Sequence, residues 1–227
     1  MLSLTSRPDR LIVVTGTGTG VGKTWVAAGL LRSLAAAGRR VAARKPAQSF
    51  DPRDGSPTDA ERLAGATGEQ PEAVCPPQRC YPRAMAPPMA AAALGRAPFT
   101  IAHLVAEVQG SWPVPAPEVA VVEGAGGVAA PQADDGDTVA LIAALAPDLV
   151  VVVADPALGA LNLVRLSLAA LGSHPVVVHL NRWDPGDDVA VANRRWLIER
   201  DGFTVTTVLG ALAEMVDVGQ HSDPGLR

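Results

Sequence analysis

The chain has 227 residues, 48% of them hydrophobic, and a formal net charge of −4 at neutral pH. That length and apolar content suit one sizeable domain with a full core, and the acidic balance argues against a nucleic-acid-binding surface. The most apolar stretch, Val139 to Ala154, is broken by Pro147 and Asp148, so no membrane span is expected.

Residues 1–10 carry Arg7, Pro8, Asp9 and Arg10 and lack an apolar signal core. They read as a disordered N-terminus of a cytoplasmic protein. Leu11–Thr15 is a buried-type strand. It runs into Gly16-Thr17-Gly18-Thr19-Gly20-Val21-Gly22-Lys23-Thr24, and a helix is predicted from Trp25 to Ala37 with Gly38 at its C-terminal end. Strand, glycine loop and a Lys-Thr opening a helix form the context of a phosphate-binding loop. Loop and helix-start N–H groups, from Gly18 to Trp25, would cradle the phosphates. Gly18, Gly20 and Gly22 let the backbone approach, Lys23 neutralises charge, and Thr24 offers a hydroxyl to Mg²⁺. The strict pattern wants glycine where Thr17 stands, so the loop is a variant.

Of 19 basic residues only Lys23 and Lys45 are lysine. A compact ammonium does what a planar guanidinium cannot, which singles out Lys45 as functional. A strand at Arg40–Arg44 delivers it to a sheet edge, with Pro46 ending the strand. Asp59 opens a helix, either as its N-cap or with its carboxylate turned to the site. Residues 71–98 form a proline-rich excursion, not a domain. It holds Cys75 and Cys80, which read as two free thiols and not as a metal site. A helix follows at Ile101–Val108, then a strand at Glu118–Val122 ending in Glu123-Gly124-Ala125-Gly126-Gly127. An acid there, and equally Asp155 after the strand Leu149–Ala154, could serve Mg²⁺; pattern alone does not rank them. Asp134, Asp135 and Asp137 read as solvated.

Leu158-Gly159-Ala160-Leu161-Asn162 turns into a helix through Leu171, and a strand at Pro175–Leu180 ends at Asn181. Asn181 could read a base edge or merely form a turn. A helix at Val189–Arg200 and a strand at Thr204–Leu209 close the sheet, and residues 213–227 read as a loose tail. The alternation predicts an α/β fold with one doubly wound, mainly parallel sheet in a single domain over residues 11–212.

Four segments together resemble the dethiobiotin synthase family: the phosphate loop, Lys45-Pro46, Glu123-Gly124-Ala125-Gly126-Gly127 and Leu158-Gly159-Ala160-Leu161-Asn162. Tyr81-Pro82, Met85-Ala86-Pro87 and Leu180-Asn181-Arg182 resemble its actinobacterial members. The resemblance covers about residues 11–212. It implies a P-loop NTPase-like, ATP- and Mg²⁺-dependent cyclo-ligase that joins CO₂ to 7,8-diaminopelargonate through a carbamate and a carbamic–phosphoric anhydride.

It further implies Mg²⁺ on Thr24, Asp59 and Glu123, with Asp155 structural, and catalytic roles for Lys23, Lys45 and Thr19. Lys45, Ser49, Glu123, Gly126 and Gly127 would line the substrate. Thr19, Val21 and Trp25 would lie on the nucleotide, and Asn181 on its base. In a homodimer, Gly159, Ala160, Leu161 and Asn162 of one subunit would meet the substrate carboxylate at the interface.

Gly20, Pro88, Leu163, Phe50 and Ala213 depart from the family pattern and leave nucleotide preference open, ATP or another NTP. The loop alone is shared with ParA/MinD-type switch ATPases, which usually carry a second lysine where Gly18 stands. That switch, or a nucleotide-binding paralogue without ligase activity, is the alternative.

Overall fold

A computed structural model of the chain describes residues 7–217. Six parallel strands form the central sheet: β1 (Arg10–Gly16), β2 (Val41–Arg44), β5 (Val119–Glu123), β8 (Leu149–Ala154), β9 (Val176–Leu180) and β10 (Val205–Thr206). Their order is β10-β9-β8-β1-β5-β2. Two short ladders lie outside it: β3 (Gln48–Ser49) parallel to β4 (Cys80–Tyr81), and β6 (Pro131–Ala133) antiparallel to β7 (Gly136–Asp137). The helices are α1 (Lys23–Ala36), α2 (Asp59–Thr67), α3 (Pro71–Val74), α4 (Pro87–Ala93), α5 (Ile101–Gly110), α6 (Thr138–Leu145), α7 (Ala160–Leu171), α8 (Asp188–Glu199) and α9 (Leu209–Asp217).

The apolar runs of β1, β5 and β8 are buried on both faces, as a parallel sheet between helix layers requires. The period-two alternation sorts their side chains. Ile12, Val14, Val121, Val151 and Val153 pack with α1, α2 and α9, whereas Leu11, Val13, Val122, Val150 and Val152 pack with α4, α5 and α6. β1 thus sits mid-sheet, and its C-terminal end, the phosphate loop, opens at the same edge as the ends of β2, β5 and β8.

Several expectations change. Residues 7–10 are ordered: Arg7 pairs with Asp148, Pro8 is buried and Arg10 opens β1. The last strand stops at Thr206, and Leu209 starts α9 instead of ending a strand. Residues 213–217, expected to be loose, complete that helix, because Leu209, Leu212, Ala213 and Val216 share one face. Leu212 and Val216 are fully buried, each contributing about 1.5–3 kcal/mol. Residues 1–6 and 218–227 of the two expected loose ends lie outside the described residues.

The acidic loop is not merely solvated. Asp134 and Asp135 accept hydrogen bonds from Phe99 N and Ile101 N, and Asp137 caps α6 through Ala140 N. These carboxylates neutralise unpaired N–H groups at helix starts. No helix among the described residues is long and apolar enough to cross a membrane.

Candidate active site

A cavity of about 760 Å³ opens at the C-terminal ends of β1, β2 and β5. Its lining gathers Thr19, Gly20, Gly22, Lys23, Thr24, Trp25, Lys45, Ser49, Asp59, Glu123 and Gly126 from segments more than a hundred residues apart. Strand ends explain the convergence: β1 delivers the loop, β2 delivers Lys45, and β5 delivers Glu123.

Asp59 is the first helical residue of α2, not its cap. Thr58 is the N-cap and forms a reciprocal capping box with Glu61, which leaves the Asp59 carboxylate to face the cavity. Thr24 Oγ1 lies 2.8 Å from both Asp59 Oδ1 and Glu123 Oε1. Lys45 Nζ donates to Glu123 Oε1 at 2.6 Å and to Asp59 Oδ2 at 2.7 Å. Lys45 is 2% exposed and Glu123 0%. Burial alone would lower the Lys45 pKa, but the charges of Glu123 and Asp59 raise it above the ordinary lysine value. For Asp59, burial pushes up and the Lys45 ammonium pulls down, with the net below the usual carboxylate range. Burial holds the Glu123 carboxyl above its usual range. Lys23 folds back to donate to Gly18 O at 2.9 Å, and burial, then the Lys45 charge, lowers its pKa.

Glu123 Oε2 is buried without a partner. One hydroxyl and two carboxylates with an uncommitted oxygen are a hard donor set that fits Mg²⁺.

The loop is held from behind. Asn181 Nδ2 donates to Val21 O at 2.9 Å, and Arg182 Nη2 to Gly20 O at 2.8 Å. A Cβ at Gly22 (φ +94°) would come within 2.1 Å of Asn181 Nδ2, so glycine is required there. Gly127 packs its backbone on Gly16 and Gly18, fixing the β5 loop against the phosphate loop. Asp155 accepts from Ala157 N and pairs with Arg182 outside the cavity, a turn-bracing role that separates it from Glu123.

Ser49 lines the cavity and donates to Met85 O. Trp25 is exposed on its wall. Gly159–Asn162, at the start of α7, do not line it.

Two residues have roles that the sequence does not assign to them. Gln48 is buried on the cavity wall and accepts from Ala60 N at 3.0 Å, fixing the turn that carries Asp59. Its signal is a polar residue two positions after Pro46. Arg182 has no local signal beyond its place at a strand end.

A family model described as AAA domain matches residues 10–222. The ATP-dependent dethiobiotin synthetase BioD of Anaeromyxobacter dehalogenans (strain 2CP-C) is 42% identical over 188 residues, covering 80% of this chain and 81% of that protein. The protein of that name from Mycobacterium tuberculosis (strain CDC 1551 / Oshkosh) is 38% identical over 222 residues, covering 93% and 92%. Among solved structures, a plasmid partition protein from Borrelia burgdorferi superposes with a TM-score of 0.57 at 11% identity, covering 96% of this chain and 100% of that one. The signal recognition particle receptor FtsY from Elizabethkingia anophelis in complex with GDP gives 0.52 at 15% identity, covering 90% and 58%. These two share the fold alone. The chain belongs to the ATP-dependent dethiobiotin synthetase family, ligase-type enzymes, and carries it on a P-loop NTPase fold.

Proposed function

We propose that the chain joins CO₂ to 7,8-diaminopelargonate and closes the ureido ring of dethiobiotin at the expense of ATP. One amine takes up CO₂ and releases a proton, leaving a carbamate. A carbamate oxygen attacks the γ-phosphorus and ADP leaves, giving the carbamic–phosphoric anhydride. The second amine attacks that carbonyl, phosphate departs, and the amine's proton passes to solvent as the ring closes.

Carbamate and triphosphate are both anions, so the barrier lies in bringing them together. The Lys45 ammonium, buried at 2.6–2.7 Å from two carboxylates on the cavity wall, is the observation that carries this reading. It is a charge fixed before substrate arrives, in a pocket where water screens little. Lys23 supplies a second cation from the loop, and Thr19 and Ser49 offer hydroxyls to the carbamate side. Thr24, Asp59 and Glu123 would hold Mg²⁺, which when bound neutralises phosphate oxygens. Loop N–H groups orient the phosphates, so the chain's part is positioning and electrostatics.

The substrate carboxylate would reach the Gly159–Asn162 turn of a second copy in a homodimer. The exposure of Leu158 (93%) and Leu166 (63%) around that turn supports an apolar contact there. Protein mixed with 7,8-diaminopelargonate, bicarbonate, Mg²⁺ and ATP should yield dethiobiotin by mass spectrometry, and each omission should abolish it. No product from folded protein that still binds nucleotide, with ATP, CTP or GTP, would refute the assignment.

A further inference from the structure

Two thiols lie outside the cavity lining, behind Gln48, and are given no part in the proposed ligase chemistry. Cys75 follows α3 and Cys80 opens β4. The Pro76–Arg79 turn, closed by Arg79 N donating to Pro76 O at 2.8 Å, brings their Sγ atoms to 3.4 Å. A disulfide needs about 2.05 Å, so closure takes a movement of roughly 1.4 Å. Cys75 is buried and Cys80 is partly exposed. The contact with Cys75, then the Gln48 amide and the Arg96 charge, bring the Cys80 thiol down to about 6 against the effect of burial. The same contact and burial push Cys75 up. The pair therefore sets a partly exposed, more acidic thiol beside a buried, less acidic one, as the attacking and resolving members of an exchange reaction require.

We propose that Cys75 and Cys80 form a reversible dithiol–disulfide couple that adjusts the first turn of α2. The Cys80 thiolate attacks one sulfur of a small-molecule disulfide and expels its other half as a thiolate. That thiolate takes the Cys75 proton, and Cys75 then attacks Cys80 Sγ and expels the second half, which is protonated from solvent. Two protein thiols and one small disulfide become one protein disulfide and two small thiols.

The coupling runs through Gln48. Its Nε2 donates to Cys80 Sγ at 3.2 Å while its Oε1 accepts from Ala60 N, the residue after Asp59. On the other side Lys45 N donates to Val74 O at 2.8 Å, one residue before Cys75. Oxidation removes the charged acceptor from Gln48 and strains the segment between these two attachments.

The test equilibrates the full-length protein with oxidised and reduced glutathione, then digests it with trypsin without reduction. Cleavage after Arg79 separates the cysteines, so a disulfide leaves peptides 63–79 and 80–83 joined. The joined species should form in oxidised glutathione and vanish in reduced glutathione. Amide exchange in the first turn of α2 should be several-fold faster in the oxidised protein. Cys75→Ala, or Cys75→Ser if alanine does not fold, should give only the glutathione adduct on Cys80 and no joined species. Failure of the joined species to form, or a disulfide that reduced glutathione does not open, would overturn the couple. A disulfide that leaves α2 exchange unchanged would overturn the coupling.

Discussion

Replacing Lys45 by alanine removes the one cation held between Glu123 and Asp59, and its consequences divide into two measurable parts. The first is stability. Glu123 is fully buried and would lose its 2.6 Å partner. Breaking a buried pair from one side costs about 3–5 kcal/mol, which in a chain of this size is a fall in Tm of roughly 6–20 °C. The loss should depend on pH with a definite sign. Without Lys45, burial raises the Glu123 pKa further, so the folded variant binds a proton that the unfolded chain releases. Stability is then present at low pH and lost as pH rises through the folded-state pKa, and the deficit should be larger at pH 8 than at pH 5. Lys45→Ala/Glu123→Gln should recover much of the Tm, because the orphaned charge is gone.

The second part is turnover. Losing one preorganised charge on a developing anion costs about 10²–10³ in kcat, and the double variant should not recover it. Melting curves at the two pH values and dethiobiotin formation at saturating substrates give both numbers. Nucleotide affinity should stay within about threefold, since Lys45 would act on the transferring group. A kcat within threefold of wild type would refute the role given to Lys45, whatever the stability result.

Three further outcomes are expected. Asn181→Ala frees Val21 O and should raise KM for ATP, CTP and GTP alike, by about 5–10-fold for one buried hydrogen bond. A loss at least tenfold larger for one base would refute the loop role and return Asn181 to base reading. His179, buried with Nδ1 at 2.9 Å from Thr206 Oγ1, is held down at about 4 by burial. The unfolded chain takes up its proton first as pH falls, so stability is full above about 6.5 and declines by roughly 3 kcal/mol on the way to pH 4. His179→Gln should flatten that part of the Tm–pH curve, and an unchanged slope would rule His179 out. Val216→Asp should lower stability by about 2–3 kcal/mol if α9 is docked, read as a shift of the urea midpoint. No shift would mean that residues 213–217 do not pack.

What the sequence made legible was whatever is local. The β-branched runs of β1, β5 and β8, the glycine loop and the positions of Lys45 and Glu123 at strand ends are all visible in short windows. The ambiguity of Asp59 was also local. Thr58 and Glu61 spell a capping box that gives the cap to Thr58 and frees Asp59 for the site. α9 is harder to read because its apolar face runs on both sides of residue 212, so a domain end at that residue splits one helical period in two. The clamp on the loop was not legible at all. Asn181 and Val21 are 160 residues apart, and nothing near either one announces the other. Long-range hydrogen bonds that select a glycine, as at Gly22, leave a trace only in the glycine.

The division between arginine and lysine follows the same line between scaffold and site. Arg44 is buried in β2, paired with Glu69, bonded to Ser111 and set over the Trp112 ring, which only a planar fork can do at once. Arg79 grips Glu107 with two nitrogens while lying over Phe99, and Arg165 grips Asp201 in the same way. These forks fix geometry. The two lysines both line the cavity and each places a single ammonium among oxygens, one on a loop carbonyl and one between carboxylates. An ammonium can exchange one oxygen for another by rotating its stem, so in the proposed reaction it would follow charge as it moves from carbamate to phosphate. A guanidinium locked by two parallel hydrogen bonds cannot. Lys45→Arg therefore keeps the charge but should fail to restore turnover, while restoring more of the Tm than Lys45→Ala retains. Wild-type kcat in Lys45→Arg would show that charge alone is required at that position and that the mobility argument is wrong.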